Sequence, residues 1–365
     1  MAAVPRTTIL RRPCNYQWYW RNSSKNADEQ WKKYTDIENE IIEDAYEENK
    51  SDVEIDGGCI INLKDKVQYN KNDTKKQQPI KRVQFDQDHN DIHLRENNRF
   101  SLPVPITSMS SEQESEKNDE VPLPTPAFFP GLYYRCELRN TNKTLSDVVD
   151  DGAEGIRQEG RTLDKSNEAE WLAQQLLAVK HYGARLEKVD CDTEISREIG
   201  ETCIYLYTKE SFLYRLINQI LRNPTGGTDQ QIKTLGPFCF LLQTYLQQHP
   251  TTGILTVYRG LYITDKERKQ FMRHFISFTS FTSTSRNRKK AESFGNTLLI
   301  IDLNVKQNLS ADKNIFCGVN ISELSDFPEE EEFLIWIYAL FEFINYEYDS
   351  EKKKHIIHLK SSDKN

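Results

Sequence analysis

The chain has 365 residues, of which 37% are hydrophobic and 28% charged, with a formal net charge of −8. That length suits two or three domains with cores of their own, and the acidic balance argues against broad electrostatic binding of nucleic acid. The longest apolar run, FLIWIYALF, is far short of the ~20 residues that span a bilayer, and seven scattered cysteines without CxxC pairs argue against a disulfide framework and against a zinc site.

The N-terminal MAAVPRTTILRRPCNYQW lacks an apolar stretch long enough for a signal peptide, so a cytoplasmic or nuclear location is expected. Residues 10–90 hold Trp18, Trp20 and Trp31 and then an acidic stretch, DIENEIIEDAYEENK. Its Ile37, Ile41, Ile42 and Tyr46 recur at helical spacing. CIINLKDKVQYN and IKRVQF follow as strand-like runs, which makes this a small α+β module.

Residues 91–160 read as a largely disordered linker. SLPVPITSMSSEQESEKNDEVPLPTP is too rich in Ser, Pro and Glu to bury the apolar surface that would offset its chain entropy. From 161 to 362 the chain is globular. EAEWLAQQLLAVKHYG, SFLYRLINQILRN and GPFCFLLQTYLQQHP are predicted helices. GILTVYRGLYI, FISFTSFTSTS, NTLLIIDLNV, EEEFLIWIYALFEFINYEY and KKHIIHLK are β-rich. Helices first and strands afterwards predict an α+β domain with a helical lobe beside a strand-built cleft.

Three features of that second half carry chemistry. In VYRG, Arg259 ends an apolar strand and can fork onto a diphosphate or carboxylate; Gly260 after it lets a ligand approach the backbone. In SFTSFTSTSRN, hydroxyls alternate with Phe and end in the triplet Ser283-Thr284-Ser285. In FPEEEEFLI, an extended chain places Glu330 and Glu332 on one face. Two carboxylates sharing a cleft repel unless solvent, donors or a cationic ligand offset them, and a site that stabilises a developing positive charge makes use of that cost. Taken singly, each feature reads more simply as an ordinary surface Arg, a half-exposed strand and a solvated charge run.

The ordered set VYRGL, SFTSTS and FPEEEEFLI, with AESFGN between the last two, resembles the arginine–serine–Glu-X-Glu class of mono-ADP-ribosyltransferases. The resemblance implies a fold with a helical lobe and a β-sandwich NAD cleft, NAD as co-substrate and no metal. It implies that Arg259 and Gly260 contact NAD, that Ser283 orients the catalytic glutamate and the nicotinamide ribose, and that Glu332 is that glutamate. Glu330 then orients the guanidinium of an acceptor arginine on a protein substrate. A register slip of one would choose Glu329 and Glu331. His181-Tyr182 in KHYG and His274 are read as structural, because a histidine and a tyrosine of the related poly-ADP-ribose polymerases lie far apart.

The N-terminal module resembles a WWE domain over 13–86, through YQWYWR, Trp31, the helix that follows, VQYN and PIKRV. This implies binding of ADP-ribose chains on already modified proteins, with Trp20, Gln68 and Arg82 at the matched positions. Aromatic rings can stack on adenine and a guanidinium can neutralise phosphate. The expected function is NAD-dependent transfer of ADP-ribose to protein arginine, with no direct nucleic-acid or membrane partner. An NAD glycohydrolase and a silent ADP-ribose reader are the alternatives.

Overall fold

The computed structural model describes residues 16–21, 31–84, 129–184, 188–190, 192–222, 227–251, 253, 256–303, 317–325 and 328–362. The Ser/Pro-rich run at 101–126 lies outside them. Two sheets and a helical lobe between them make up the described fold.

The N-terminal sheet has six antiparallel strands in the order β2-β1-β6-β5-β4-β3. These are β1 (Tyr16–Arg21), β2 (Trp31–Lys33), β3 (Asp52–Ile55), β4 (Cys59–Asn62), β5 (Val67–Asn70) and β6 (Asp73–Gln84). Helix α1 (Asp36–Glu47) crosses this sheet. It starts where Thr35 and Glu38 form a capping box, which satisfies two backbone N–H groups at the helix start. Tyr16, Trp18, Tyr34, Ile42, Ile55, Ile61 and Ile80 form the small core beneath it.

The helical lobe begins earlier than the sequence predicts. The stretch read as linker up to 160 contains α2 (Phe129–Tyr133), a π-type turn at Tyr134–Leu138 and α3 (Leu145–Thr162). The polar run around α3 hides its periodicity. Leu145, Val148, Val149, Ala153 and Ile156 are all buried on one face. Gly155 lets that helix close on α7 (Asp229–Gln248): a Cβ there would lie 1.8 Å from the Thr234 carbonyl oxygen. Helices α4 (Ser166–Ala178), α5 (Arg197–Thr208) and α6 (Phe212–Arg222) complete the lobe. Helix α7 starts at Asp229 rather than at Gly236, because a Thr228–Gln231 capping box sets its end and it accommodates Pro237 internally.

The C-terminal sheet has eight strands in the order β11-β12-β9-β7-β10-β14-β13-β8. They are β7 (Thr256–Leu261), β8 (Phe275–Ser277), β9 (Thr282–Ser285), β10 (Thr297–Asp302), β11 (Gly318–Asn320), β12 (Glu332–Ile335), β13 (Leu340–Asp349) and β14 (Lys354–Ser361). Short helices α8 (Asp265–Phe271) and α9 (Arg288–Glu292) connect them. Among these described strands, β10 and β14 pair in parallel. The link between β7 and β9 narrows to one residue pair, Tyr258 and Ser285. There the sheet turns back on itself, so that Phe333 and Ile335 of β12 share a core with Leu299 and Ile357 from the other half.

Two long β-rich runs divide between distant places in this sheet. FISFTSFTSTS is not one strand: β8 lies at one edge and β9 near the other. Phe278 and Phe281, between them, are buried in different cores. EEEFLIWIYALF likewise splits into β12 and β13, with Tyr338 at φ 64 in the connection.

Candidate active site

Strands β12, β9 and β7 are consecutive neighbours. The glutamate run, the Ser-Thr-Ser triplet and the arginine motif therefore stand side by side, although Arg259 and Ile335 are 76 positions apart in sequence. Antiparallel pairing sets Glu332 opposite Ser285 and Leu334 opposite Ser283. Directly opposed residues point to the same face and successive ones alternate. Ser283, Ser285 and Glu332 thus share a face, with Ser283 diagonal to Glu332.

The four glutamates have different fates. Pro328–Glu330 is a 3-10 turn and Glu331 has φ 48, so the extended geometry assumed for this run begins only at Glu332. Glu330 is half-buried, and its carbonyl accepts a hydrogen bond from Ser285 Oγ at 2.7 Å. The Glu331 carboxylate turns away to Asn287 Nδ2 at 3.1 Å and Arg286 at 3.8 Å. Glu332 is 5% exposed. Ser325 Oγ donates to its carboxylate at 3.4 Å, and its carbonyl accepts from Ile321 N at 3.0 Å.

Arg259 is 3% exposed. Burial pushes its guanidinium down to about 10, with Arg222 adding repulsion and the Tyr214 and Tyr207 hydroxyls opposing the shift. Arg222, at the end of α6, is also lowered by burial. Tyr207 is raised far above the usual phenol range, chiefly by burial and then by Tyr214, with Glu332 adding to it. Tyr207 is thus close to the acid and the base of the cleft alike. Its ring meets Phe281 edge-on at 5.2 Å, just before the triplet, and Tyr214 at 5.2 Å. Asn218 Nδ2 donates to the Tyr207 hydroxyl at 2.8 Å and to the Tyr214 carbonyl at 3.0 Å. Sequence reasoning missed Tyr207, Tyr214, Asn218 and Arg222. The available signal was polar groups recurring on helices otherwise read as packing elements.

Gly260 is explained by packing. A Cβ on it would lie 2.1 Å from the Ala291 carbonyl oxygen and 2.6 Å from that of Phe294. The end of α9 fills the space that the sequence reading reserved for a ligand. His181 and Tyr182 lie on a 3-10 turn after α4, away from the motif strands. Among the described residues no group of three or more His, Cys, Asp or Glu could hold a metal ion.

The chemistry of these groups suits a ligand that carries phosphate and sugar hydroxyls. A buried cation suits a diphosphate, a buried carboxylate suits a ribose hydroxyl, and hydroxyls and rings lie between them. The NAD:arginine ADP-ribosyltransferase family model matches residues 150–365, more than half of the chain. The chain belongs to that family. The WWE domain model matches residues 16–82.

Solved structures similar to the transferase domain include exoenzyme S from Pseudomonas aeruginosa, at 15% identity and TM-score 0.40, covering 60% of this chain and 90% of that one. HopU1 from Pseudomonas syringae has 18% identity and TM-score 0.37, covering 64% and 95%. The eukaryotic mono-ADP-ribosyltransferase ART2.2 has 20% identity and TM-score 0.37, covering 60% and 88%. None of the curated proteins compared with the chain matches it.

The three residues matched in the WWE domain are not brought to one point. Gln68 is buried, accepting from Tyr34 Oη at 2.6 Å and donating to Gln78 at 2.7 Å. Arg82 lies four residues beyond Gln78 on β6, ~13 Å at the rise of a strand. Its Nε and Nη2 hold the buried Glu43 at 2.9 and 2.7 Å, between the rings of Tyr16 and Tyr46. The charge expected to meet phosphate is engaged by a carboxylate of α1. Trp20 is half-buried, with Lys32 Nζ 5.1 Å from its ring centroid.

Proposed function

We propose that the chain transfers ADP-ribose from NAD to an arginine of a protein substrate, releasing nicotinamide. The observation that carries this reading is the adjacency of β12, β9 and β7, with Glu332 and Arg259 both buried around Tyr207. Arg259 holds the diphosphate, and its desolvation makes an anion there favourable. Glu332 accepts a ribose hydroxyl and offsets positive charge at the anomeric carbon as the glycosidic C–N bond breaks. Ser283, on the same face, orients Glu332 and the ribose. The new C–N bond forms to a guanidinium nitrogen of the acceptor, and one proton leaves that nitrogen. Glu330, on the turn at the strand's mouth, orients the acceptor and takes that proton. The WWE domain directs the enzyme to proteins already carrying ADP-ribose, with Gln68, Gln78 and Tyr34 as its polar cluster. A cytoplasmic or nuclear setting follows from such substrates.

Nicotinamide release from NAD by the full chain, with and without agmatine as an arginine mimic, tests this. Stimulated release that disappears in Glu332→Gln and Glu330→Gln is the expected result. Release indifferent to agmatine and lost only in Glu332→Gln means water is the acceptor and the enzyme is a glycohydrolase. No release from folded protein that binds ADP-ribose chains means a reader.

A further inference from the structure

The acidic helix α1 of the WWE domain is built into the transferase domain. Asp36, Glu40 and Asp44 recur every four residues, which makes one stripe along the helix. All three reach across. Asp36 accepts the Glu210 N–H at 2.8 Å. Glu40 accepts Lys209 Nζ at 2.8 Å. Asp44 accepts Trp171 Nε1 at 2.8 Å. Ile37, fully buried, belongs to the core of the helical lobe, whereas Ile42 belongs to the WWE core. Asp56 accepts the N–H groups of Asn167 and Glu168 at the start of α4. Glu168 in turn accepts the Phe212 N–H that opens α6.

The most consequential of these contacts is Glu40 with Lys209. Both side chains are almost fully buried, at 4% and 1% exposure. A buried ion pair is fixed in geometry, because each charge has lost its water and depends on its partner. Glu40 is also held from its own domain by Tyr16 Oη at 3.0 Å. Lys209 lies in the turn between α5 and α6, two residues after Tyr207 and five before Tyr214. Ser211 in the same turn accepts the Tyr214 N–H at 3.2 Å. Tyr207 meets Phe281, two residues before Ser283, edge-on at 5.2 Å and Tyr214 at 5.2 Å, so the turn leads straight into the packing behind the Ser-Thr-Ser strand.

We propose that Glu40 and Asp36 of the WWE domain are positioning residues for the NAD cleft. By clamping Lys209 and Glu210 they fix the α5–α6 turn, and through it the placement of Tyr207 and Tyr214. The WWE domain is then a structural part of the transferase as well as a targeting module. The effect on catalysis rests on the function proposed above; the effect on the turn does not.

The test uses the full chain as Glu40→Gln and as Asp36→Ala, which loosens the same turn without stranding a buried charge. Two measurements are made on each: amide hydrogen exchange over 205–214 without NAD, and kcat and KM for nicotinamide release. The expected result is exchange over 205–214 faster by about tenfold and kcat/KM lower by about tenfold, with the protein folded at the assay temperature. Exchange that rises only within the WWE strands and α1, leaving 205–214 unchanged, overturns the proposal whatever the activity. So do variants whose turn loosens while nicotinamide release keeps its wild-type kcat/KM. If the unmodified chain releases no nicotinamide, the transferase reading fails, and the exchange at 205–214 still decides whether the clamp exists.

Discussion

Glu332 is paired across the β9–β12 ladder with Ser285, and Ser283 lies two residues further along the same face. The two serines are therefore not equivalent. Ser285 Oγ donates to the Glu330 carbonyl at 2.7 Å and accepts the Asn287 N–H at 2.9 Å. It fastens the turn that carries Glu330. Ser285→Ala is expected to lower both stability, by about 1 kcal/mol, and acceptor-stimulated release. Ser283→Ala is expected to lower kcat with little change in Tm, since its assigned work is on Glu332 and the ribose. Equal Tm losses in the two variants would remove the distinction.

The glutamate run makes a second prediction. Glu331 is turned to Arg286 and Asn287 in a half-exposed contact, the kind worth about 0–1 kcal/mol. Glu331→Gln should leave nicotinamide release within about twofold of wild type. Glu332→Gln should reduce release by a factor of about 10² or more, the scale for removing one preorganised electrostatic contact in a transition state. Glu330→Gln should abolish stimulation by agmatine while sparing slow hydrolysis. Steady-state nicotinamide release for the three variants separates these roles, and a loss in Glu331→Gln equal to that in Glu332→Gln would shift the register by one.

The order of the motifs anticipated that Arg259, the triplet and Glu332 belong together, and the sheet does place their strands side by side. It could not show that Glu331 adopts a left-handed conformation, since a run of four glutamates carries no turn signal. Nor could it show that Gly260 is a packing glycine, because the carbonyls it meets come from α9 and from Phe294 just after it, about thirty residues onward. Helix α3 was hidden by its polar flanks. The interdomain stripe was visible only as an acidic helix, because what it binds is 169 residues away in the case of Glu40 and Lys209.

Arg82 and Gln68 respond differently to removal. Arg82→Ala strands the buried carboxylate of Glu43, which also accepts Trp18 Nε1 at 2.8 Å. Breaking one side of a buried pair costs about 3–5 kcal/mol, so the WWE domain should lose stability whether or not ADP-ribose is present. Gln68→Ala removes a cluster with Tyr34 and Gln78, and should weaken binding of ADP-ribose chains more than it lowers Tm. Thermal unfolding measured beside chain binding checks both. A loss of chain binding in Arg82→Lys at unchanged Tm would return Arg82 to the ligand site.

Arg259 gives the last prediction. Its guanidinium is buried next to Arg222, with pKa pushed down to about 10, and it remains cationic at neutral pH. Between about 10 and its unfolded value the folded state holds fewer protons than the unfolded one, so stability through this group rises with pH there and is flat below. At pH 7 the buried cation is a standing cost that an anionic ligand relieves. NAD at 100 times its Kd should raise unfolding free energy by about 2.7 kcal/mol. Arg259→Ala should erase most of that rise, because the diphosphate loses its charged partner. Gly260→Ala, whose Cβ meets the Ala291 carbonyl oxygen, should push β7 away from α9, lowering Tm without NAD and weakening the NAD-induced shift. Differential scanning calorimetry with and without NAD reads all three proteins, and a full NAD-induced shift in Arg259→Ala would place the diphosphate elsewhere.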